Sequence, residues 1–209
     1  GGNVTLTINP RAQQAAYDGL KALSGDVQGS VVAIEPSTGK VLAMVSLPTY
    51  DPNKLAGHRF GEIIKRQERL EADKGQPLTN RATSMRLPPG STFKLVTAAA
   101  ALESGKYNAD SRVPGGDTYQ LPLTTGESGL IGNEGRACGD KKVPFRQAME
   151  NSCNTTFAQL AVQVGDEKMR DVAESFGFNQ EYLSDLPQVK SVFPTEMDAA
   201  QTGQSGIGQ

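Results

Sequence analysis

Pro88-Pro89-Gly90-Ser91-Thr92-Phe93-Lys94-Leu95-Val96-Thr97-Ala98-Ala99-Ala100-Ala101-Leu102 is the stretch on which the reading of this chain turns. Pro and Gly close the preceding segment and the Ala/Leu run opens a helix. Ser91 therefore falls at a helix N-terminus, where unpaired N–H groups and the dipole favour negative charge. Lys94 follows three positions later, and residues i and i+3 are neighbours on a helix face, about 5–6 Å apart at Cβ. A hydroxyl and an amine able to take its proton are thus placed together, the Ser–Lys form of an activated nucleophile. A bare Ser-x-x-Lys also describes a helix cap followed by a solvated lysine, so the pair needs support from elsewhere in the chain.

That support is Ser152-Cys153-Asn154. Residues 143–150 form a helical pattern ending at Asn151, and 155–164 place Phe157, Leu160, Ala161 and Val164 at core spacing, so the triplet occupies an interhelical turn. Ser and Asn are ordinary turn residues as well. Beside Ser91 and Lys94, however, the Ser152 hydroxyl can accept one proton and donate another, which suits a relay to a leaving amine. The Asn154 amide can hold a substrate carbonyl or N–H.

Outward from these motifs the pattern is mixed α/β. Thr5 to Ile8 alternates like a short strand, and residues 13–23 carry Ala16, Leu20 and Leu23 at helical intervals. Residues 30–34 and 40–45 flank Glu35-Pro36-Ser37-Thr38-Gly39 as a hairpin. Residues 61–74 are charge-laced, and Ile63, Ile64 and Leu70 predict a partly exposed helix. Between Val113 and Asp140, glycines cluster with Pro, Thr and Asn; Leu121, Leu123, Leu130 and Ile131 make this a long loop with short strands and apolar anchors rather than a linker. The chain of 209 residues, 37% hydrophobic with 23 Gly, suits one folded domain with room for a subdomain.

Several function classes fall away. A net charge of −2 gives no basic field for nucleic acid, and no run approaches the roughly 18 apolar residues of a membrane span. The one histidine, His58, lies in a polar loop-like stretch, and no G-x-S-x-G elbow exists to partner it, which argues against a Ser-His-Asp hydrolase. One His and two Cys without short metal-ligand spacing argue against a zinc site.

Ser91-Thr92-Phe93-Lys94 and Ser152-Cys153-Asn154 resemble the first two motifs of penicillin-binding proteins and serine β-lactamases. The chain most resembles the transpeptidase domain of a class B penicillin-binding protein, in particular the A-type ones of actinobacteria. Val4-Thr5-Leu6-Thr7-Ile8-Asn9 with Gln13 and Gln14, the hairpin 31–45, Tyr50-Asp51-Pro52-Asn53 and Asn80-Arg81-Ala82 share the likeness. Gly203, Gly206, Gly208 and Gln209 resemble the glycine-rich turn before the family's late helix. The resemblance implies an α/β (α+β) fold of the penicillin-binding protein transpeptidase or serine β-lactamase type. In that fold an antiparallel sheet is flanked by helices beside an all-helical subdomain.

The resemblance further implies a D,D-transpeptidase that cross-links peptidoglycan stem peptides and is acylated by β-lactam antibiotics, with no cofactor and no metal. Ser91 would attack the penultimate D-Ala carbonyl, and Lys94, its pKa lowered by burial and nearby positive potential, would act as base. Ser152 would pass a proton to the departing D-Ala, and Asn154 would bind the peptide. It also implies work at the extracytoplasmic face of the bacterial cytoplasmic membrane with cell-wall synthesis or division machinery, anchored by an N-terminal segment outside this sequence. The family's third motif, Lys-Thr-Gly or Lys-Ser-Gly on a strand, is not found, because Gln201-Thr202-Gly203 lacks the cation. Residues 1–209 are therefore expected to be a partial transpeptidase domain. The missing strand, a late helix and half of the oxyanion hole would lie beyond Gln209 or in a separate chain.

Two other readings stay open. Ser-Thr-Phe-Lys also fits class D β-lactamases and their sensor relatives, although those usually carry Ser-x-Val where this chain has Ser152-Cys153-Asn154. A non-catalytic peptidoglycan-binding scaffold is the other. The implied extracytoplasmic location makes a Cys138–Cys153 disulfide the expectation, against the alternative of a buried Cys153 and an exposed Cys138 left as thiols.

Overall fold

Asn9 starts the first helix: its side-chain oxygen accepts the N–H groups of Arg11 and Ala12 at 3.0 and 3.2 Å, and Pro10 takes the first helical position, where no N–H is needed. The helix so capped is α1 (Pro10–Lys21). The structure, a computed structural model, describes residues 2–23, 25–182 and 186–209. It divides into two compact units, Gly1–Met85 with Leu183–Val189 and Arg86–Tyr182 with Lys190–Gln209.

In the first unit α1 packs on an antiparallel hairpin, β1 (Gly29–Ile34) and β2 (Val41–Leu47), whose register runs from Gly29 opposite Leu47 to Ile34 opposite Val41. Burial alternates along β2, with Ala43, Val45 and Leu47 inward, and Leu20 of α1 closes on Val45 and Leu47. The Gln13 side-chain amide extends this pairing, donating to the Met44 carbonyl and accepting its N–H, both at 2.8 Å. Next come α2 (Phe60–Ala72), none of whose residues is buried, and α3 (Arg81–Ser84). Arg81 is itself buried and donates to the carbonyls of Gly75 and Gln76 and to Gln28 Oε1.

The second unit is built around a buried helix. Its elements are α4 (Lys94–Glu103), the short strands β3 (Arg112–Pro114), β4 (Thr118–Gln120), β5 (Leu130–Gly132) and β6 (Lys142–Pro144), then α5 (Phe145–Glu150), α6 (Asn154–Val164), α7 (Asp166–Ser175) and α8 (Ala199–Ser205). Thr155, Thr156, Phe157, Ala158, Leu160 and Ala161 of α6 are all buried, and α4, α7 and α8 pack against that helix. Phe93 sits in an aromatic cluster, 5.3 Å from Phe178 and 5.5 Å from Phe193 between ring centroids. β3 pairs with β6 and β4 with β5, so among the described residues the strands form three two-stranded antiparallel ladders. No described helix is long and apolar enough to cross a membrane.

Local expectations needed correction in four places. Residues 5–8 form no strand: Val4 and Leu6 are exposed, and only single bonds, such as Thr7 Oγ1 to the Val41 carbonyl at 2.7 Å, tie the segment to β2. Alternation without a face to bury does not make a ladder. Of the four proposed loop anchors, Leu121 is buried and Ile131 packs partly against the core, but Leu123 and Leu130 are exposed. The helix expected from Val143 begins at Phe145, because residues 142–144 pair with β3. Gly203 lies within α8, not in a turn; a Cβ there would come within 2.5 Å of Leu121 Cδ2.

Candidate active site

Ser91 lies in a 3-10 turn, Gly90–Phe93, that runs directly into α4. The turn is held from the far end of the second unit: the Gly90 N–H donates to the Gly208 carbonyl at 3.0 Å, and the buried Thr97 hydroxyl donates to the Gly206 carbonyl at 2.8 Å. Gly208 has φ +80°, and a Cβ there would meet the Gly90 oxygen at 2.0 Å, so no other residue fits. The result places Ser91 at the surface while Lys94, one turn on, is 1% exposed.

The second motif is shaped by the end of α5. The Ser152 N–H donates to the Met149 carbonyl at 3.0 Å and the Cys153 N–H to the Ala148 carbonyl at 2.9 Å, the paired bonds of a Schellman cap. Ser152 occupies its left-handed position, φ +51°, which usually belongs to Gly. This conformation turns both its carbonyl and its hydroxyl onto Lys94. The amine nitrogen lies 2.8 Å from the Ser152 carbonyl, 2.9 Å from Ser152 Oγ, 2.5 Å from Asn154 Oδ1 and 3.1 Å from Ser91 Oγ. Phe157 closes the apolar side, its ring centroid 6.0 Å from Nζ. Ser91, Lys94, Ser152 and Asn154 are thereby brought together, and His58 is an exposed loop residue of the other unit.

Burial lowers the Lys94 pKa from 10.5 to about 8; the Arg136 guanidinium adds to this and the Glu134 carboxylate opposes it. The neutral amine fraction at pH 7 rises from roughly three in ten thousand to roughly one in ten. Arg136 and Glu134, paired at 2.9 Å, were not picked out from the sequence. They reach the site on the loop after β5, which is fastened to the second motif at several points. Asn154 Nδ2 donates to the Gly132 carbonyl at 2.9 Å, Asn151 Nδ2 to the Ala137 carbonyl at 2.7 Å, and Cys138 and Cys153 form a disulfide closing 15 positions. Asn154 thus spends its oxygen on Lys94 and one N–H on β5, leaving its second N–H for a ligand.

Opposite shifts are expected from the two loop charges. If neutral Lys94 is the reacting form, acylation of Ser91 should rise with pH and level off above about 8. Arg136→Gln should move that midpoint upward and Glu134→Gln downward, measured as acylation rate against pH from 6 to 10. A midpoint unmoved by both would show that the loop charges do not tune the amine.

Residues 29–208 match the penicillin binding protein transpeptidase domain. The chain belongs to this family. Over its whole length it is 43% identical to the peptidoglycan D,D-transpeptidase PbpA of Mycobacterium tuberculosis and 42% identical to that of Mycolicibacterium smegmatis, in each case covering 43% of the relative. The structure of penicillin-binding protein A from M. tuberculosis in its imipenem acyl-enzyme complex superposes with a TM-score of 0.92 at 42% identity; this chain is covered completely and that one to 48%. Pseudomonas aeruginosa PBP2 in complex with WCK 5153 gives 0.84 at 34% identity, covering all of this chain and 46% of that one. The chain therefore spans less than half the length of the curated relatives it matches.

Proposed function

We propose that this transpeptidase domain serves a D,D-transpeptidase that cross-links peptidoglycan stem peptides through an acyl-enzyme on Ser91, and that β-lactams acylate the same serine. The observation that carries the reading is the set of partners around Lys94 Nζ. The Ser152 carbonyl and Asn154 Oδ1 can only accept, so they take two N–H groups of a neutral amine, and the remaining lone pair faces the Ser91 hydroxyl. Lys94 takes the Ser91 proton as Ser91 Oγ bonds to the penultimate D-Ala carbonyl carbon. The ammonium then gives a proton to Ser152 Oγ at 2.9 Å, and the Ser152 hydroxyl proton passes to the D-Ala nitrogen as its C–N bond breaks. The amine of a second stem attacks the acyl-enzyme, the reverse relay takes up its proton, and Ser91 is restored.

The same partners weigh against a class D-like β-lactamase, whose lysine carries a carboxylate. That group would sit against two acceptor oxygens already bound to the amine, with no added donor. PbpA relatives are named peptidoglycan D,D-transpeptidases, which supports action of the whole protein outside the cytoplasm in wall synthesis; a membrane anchor is part of the same proposal.

Incubation of the full-length protein with penicillin should give one β-lactam mass on the peptide containing Ser91, persisting for many minutes and indifferent to bicarbonate. A stem pentapeptide with an amine acceptor should release D-Ala as cross-linked product forms. Steady cephalosporin turnover stimulated by bicarbonate would favour the lactamase, and absence of any adduct the scaffold.

A further inference from the structure

We propose that Asn133 is a positioning residue for the reaction: through the first turn of α6 it sets the orientation of the Asn154 amide, and through that amide it sets the amine of Lys94. This rests on the acylation of Ser91 proposed above.

α6 opens without a cap of its own. Its N-cap residue, Cys153, spends its side chain in the disulfide and makes no capping bond. The orphan N–H of Thr155 is satisfied from 22 positions away, by Asn133 Oδ1 at 3.0 Å. Both residues are buried, Asn133 4% and Thr155 0% exposed. Asn133 Nδ2 donates to the Gly116 carbonyl at 2.8 Å and to Thr155 Oγ1 at 3.0 Å, and the Thr155 hydroxyl donates to the same carbonyl at 2.8 Å. Every proton of the group is used, and the Asn133 amide admits one orientation only: its oxygen must face an N–H and its nitrogen a carbonyl.

The neighbouring residues repeat the logic at the site. The Gly132 carbonyl, one peptide bond before Asn133, accepts Asn154 Nδ2 at 2.9 Å. A carbonyl can only accept, so Asn154 must turn its nitrogen to β5 and its oxygen to Lys94 Nζ, 2.5 Å away. Gly132-Asn133 and Asn154-Thr155 are thus bound rung by rung. Release of the Thr155 rung lets the Gly132 carbonyl move off, and the Asn154 amide can then rotate and present N–H groups to the amine. Such an amine loses one of its two acceptors, and its lone pair is no longer held on Ser91.

The test is pre-steady-state acylation of the full-length protein by a chromogenic cephalosporin, which separates the acylation constant k2 from the binding constant Ks. Asn133→Ala should lower k2 by about tenfold to a hundredfold, as misplacement of a reacting group does, with Ks nearly unchanged and a full burst per folded molecule. Tm should fall as well, because buried groups lose partners. In an Asn154→Ala background the same change should leave k2 where it was while still lowering Tm. Should the alanine variant not fold, Asn133→Ser, which keeps a hydroxyl, carries the same cycle. Wild-type k2 in the folded Asn133 variant overturns the positioning role, as does an equal loss of k2 in both backgrounds. A wild-type protein that never acylates at Ser91 overturns the proposed function and this inference with it.

Discussion

Alanine at Lys94 is expected to slow acylation of Ser91 by about 10²–10⁴, the factor lost with a general base, and alanine at Ser91 to leave no acylation at all. The expectation follows from the amine's position 3.1 Å from Ser91 Oγ and from a pKa of about 8, which keeps part of it neutral near pH 7. Arginine at position 94 should not restore the rate, because a guanidinium stays protonated and cannot take the serine proton. Stopped-flow acylation with a chromogenic β-lactam measures both variants, and a near-normal rate in Lys94→Ala would end the assignment. Stability supplies an independent check. The folded pKa lies below the unfolded value, so between about pH 8 and 10.5 the unfolded chain holds a proton that the native chain has released, and stability rises with pH across that window. Lys94→Ala should flatten this rise in denaturant titrations.

Glycine at position 152 should separate activity from folding. Ser152 has φ +51° in the cap that ends α5, a conformation that strains residues with a Cβ by about 1–2 kcal/mol. Ser152→Gly removes that strain and adds about 0.5–1 kcal/mol of unfolded-state entropy, so Tm should hold or rise slightly. The backbone carbonyl stays on Lys94, and only the hydroxyl 2.9 Å from Nζ is lost. Acylation should nevertheless fall by about 10²–10⁴, because the proton for the leaving nitrogen has no carrier. Ser152→Ala should be equally slow but less stable. A fast Ser152→Gly variant would remove the hydroxyl from the relay.

Much of the site could be read from the chain because its chemistry is written in neighbouring residues. Ser91 and Lys94 share one helical turn, and Ser152-Cys153-Asn154 is contiguous. Arg136 and Glu134 were illegible for the opposite reason. They belong to no motif, and tertiary bonds bring that loop beside the amine: those of Asn154 to the Gly132 carbonyl and Asn151 to the Ala137 carbonyl, the Asn133–Thr155 pair and the disulfide. Asn133 was missed because a side chain that caps a helix 22 positions away leaves no local signal. In the fold, periodicity and turn signals over residues 13–23, 30–45 and 61–74 come within three residues of the observed α1, the β1–β2 hairpin and α2. The short pairs β3–β6 and β4–β5 gave no such signal, since three-residue strands carry no alternation long enough to read.

The glycine latch on the nucleophile turn also sets an order on assembly, because every partner that arranges Ser91 and Lys94 lies later in the chain. Lys94 must wait for Ser152 and Asn154, 58 and 60 positions downstream, and the buried bond from Thr97 closes only with Gly206, 109 positions on. Such distant contacts form late, after loop closure has been overcome. In the order of synthesis, the bonds that hold the Ser91 turn and the Lys94 amine in place can all close only once residues 206–208 have been made.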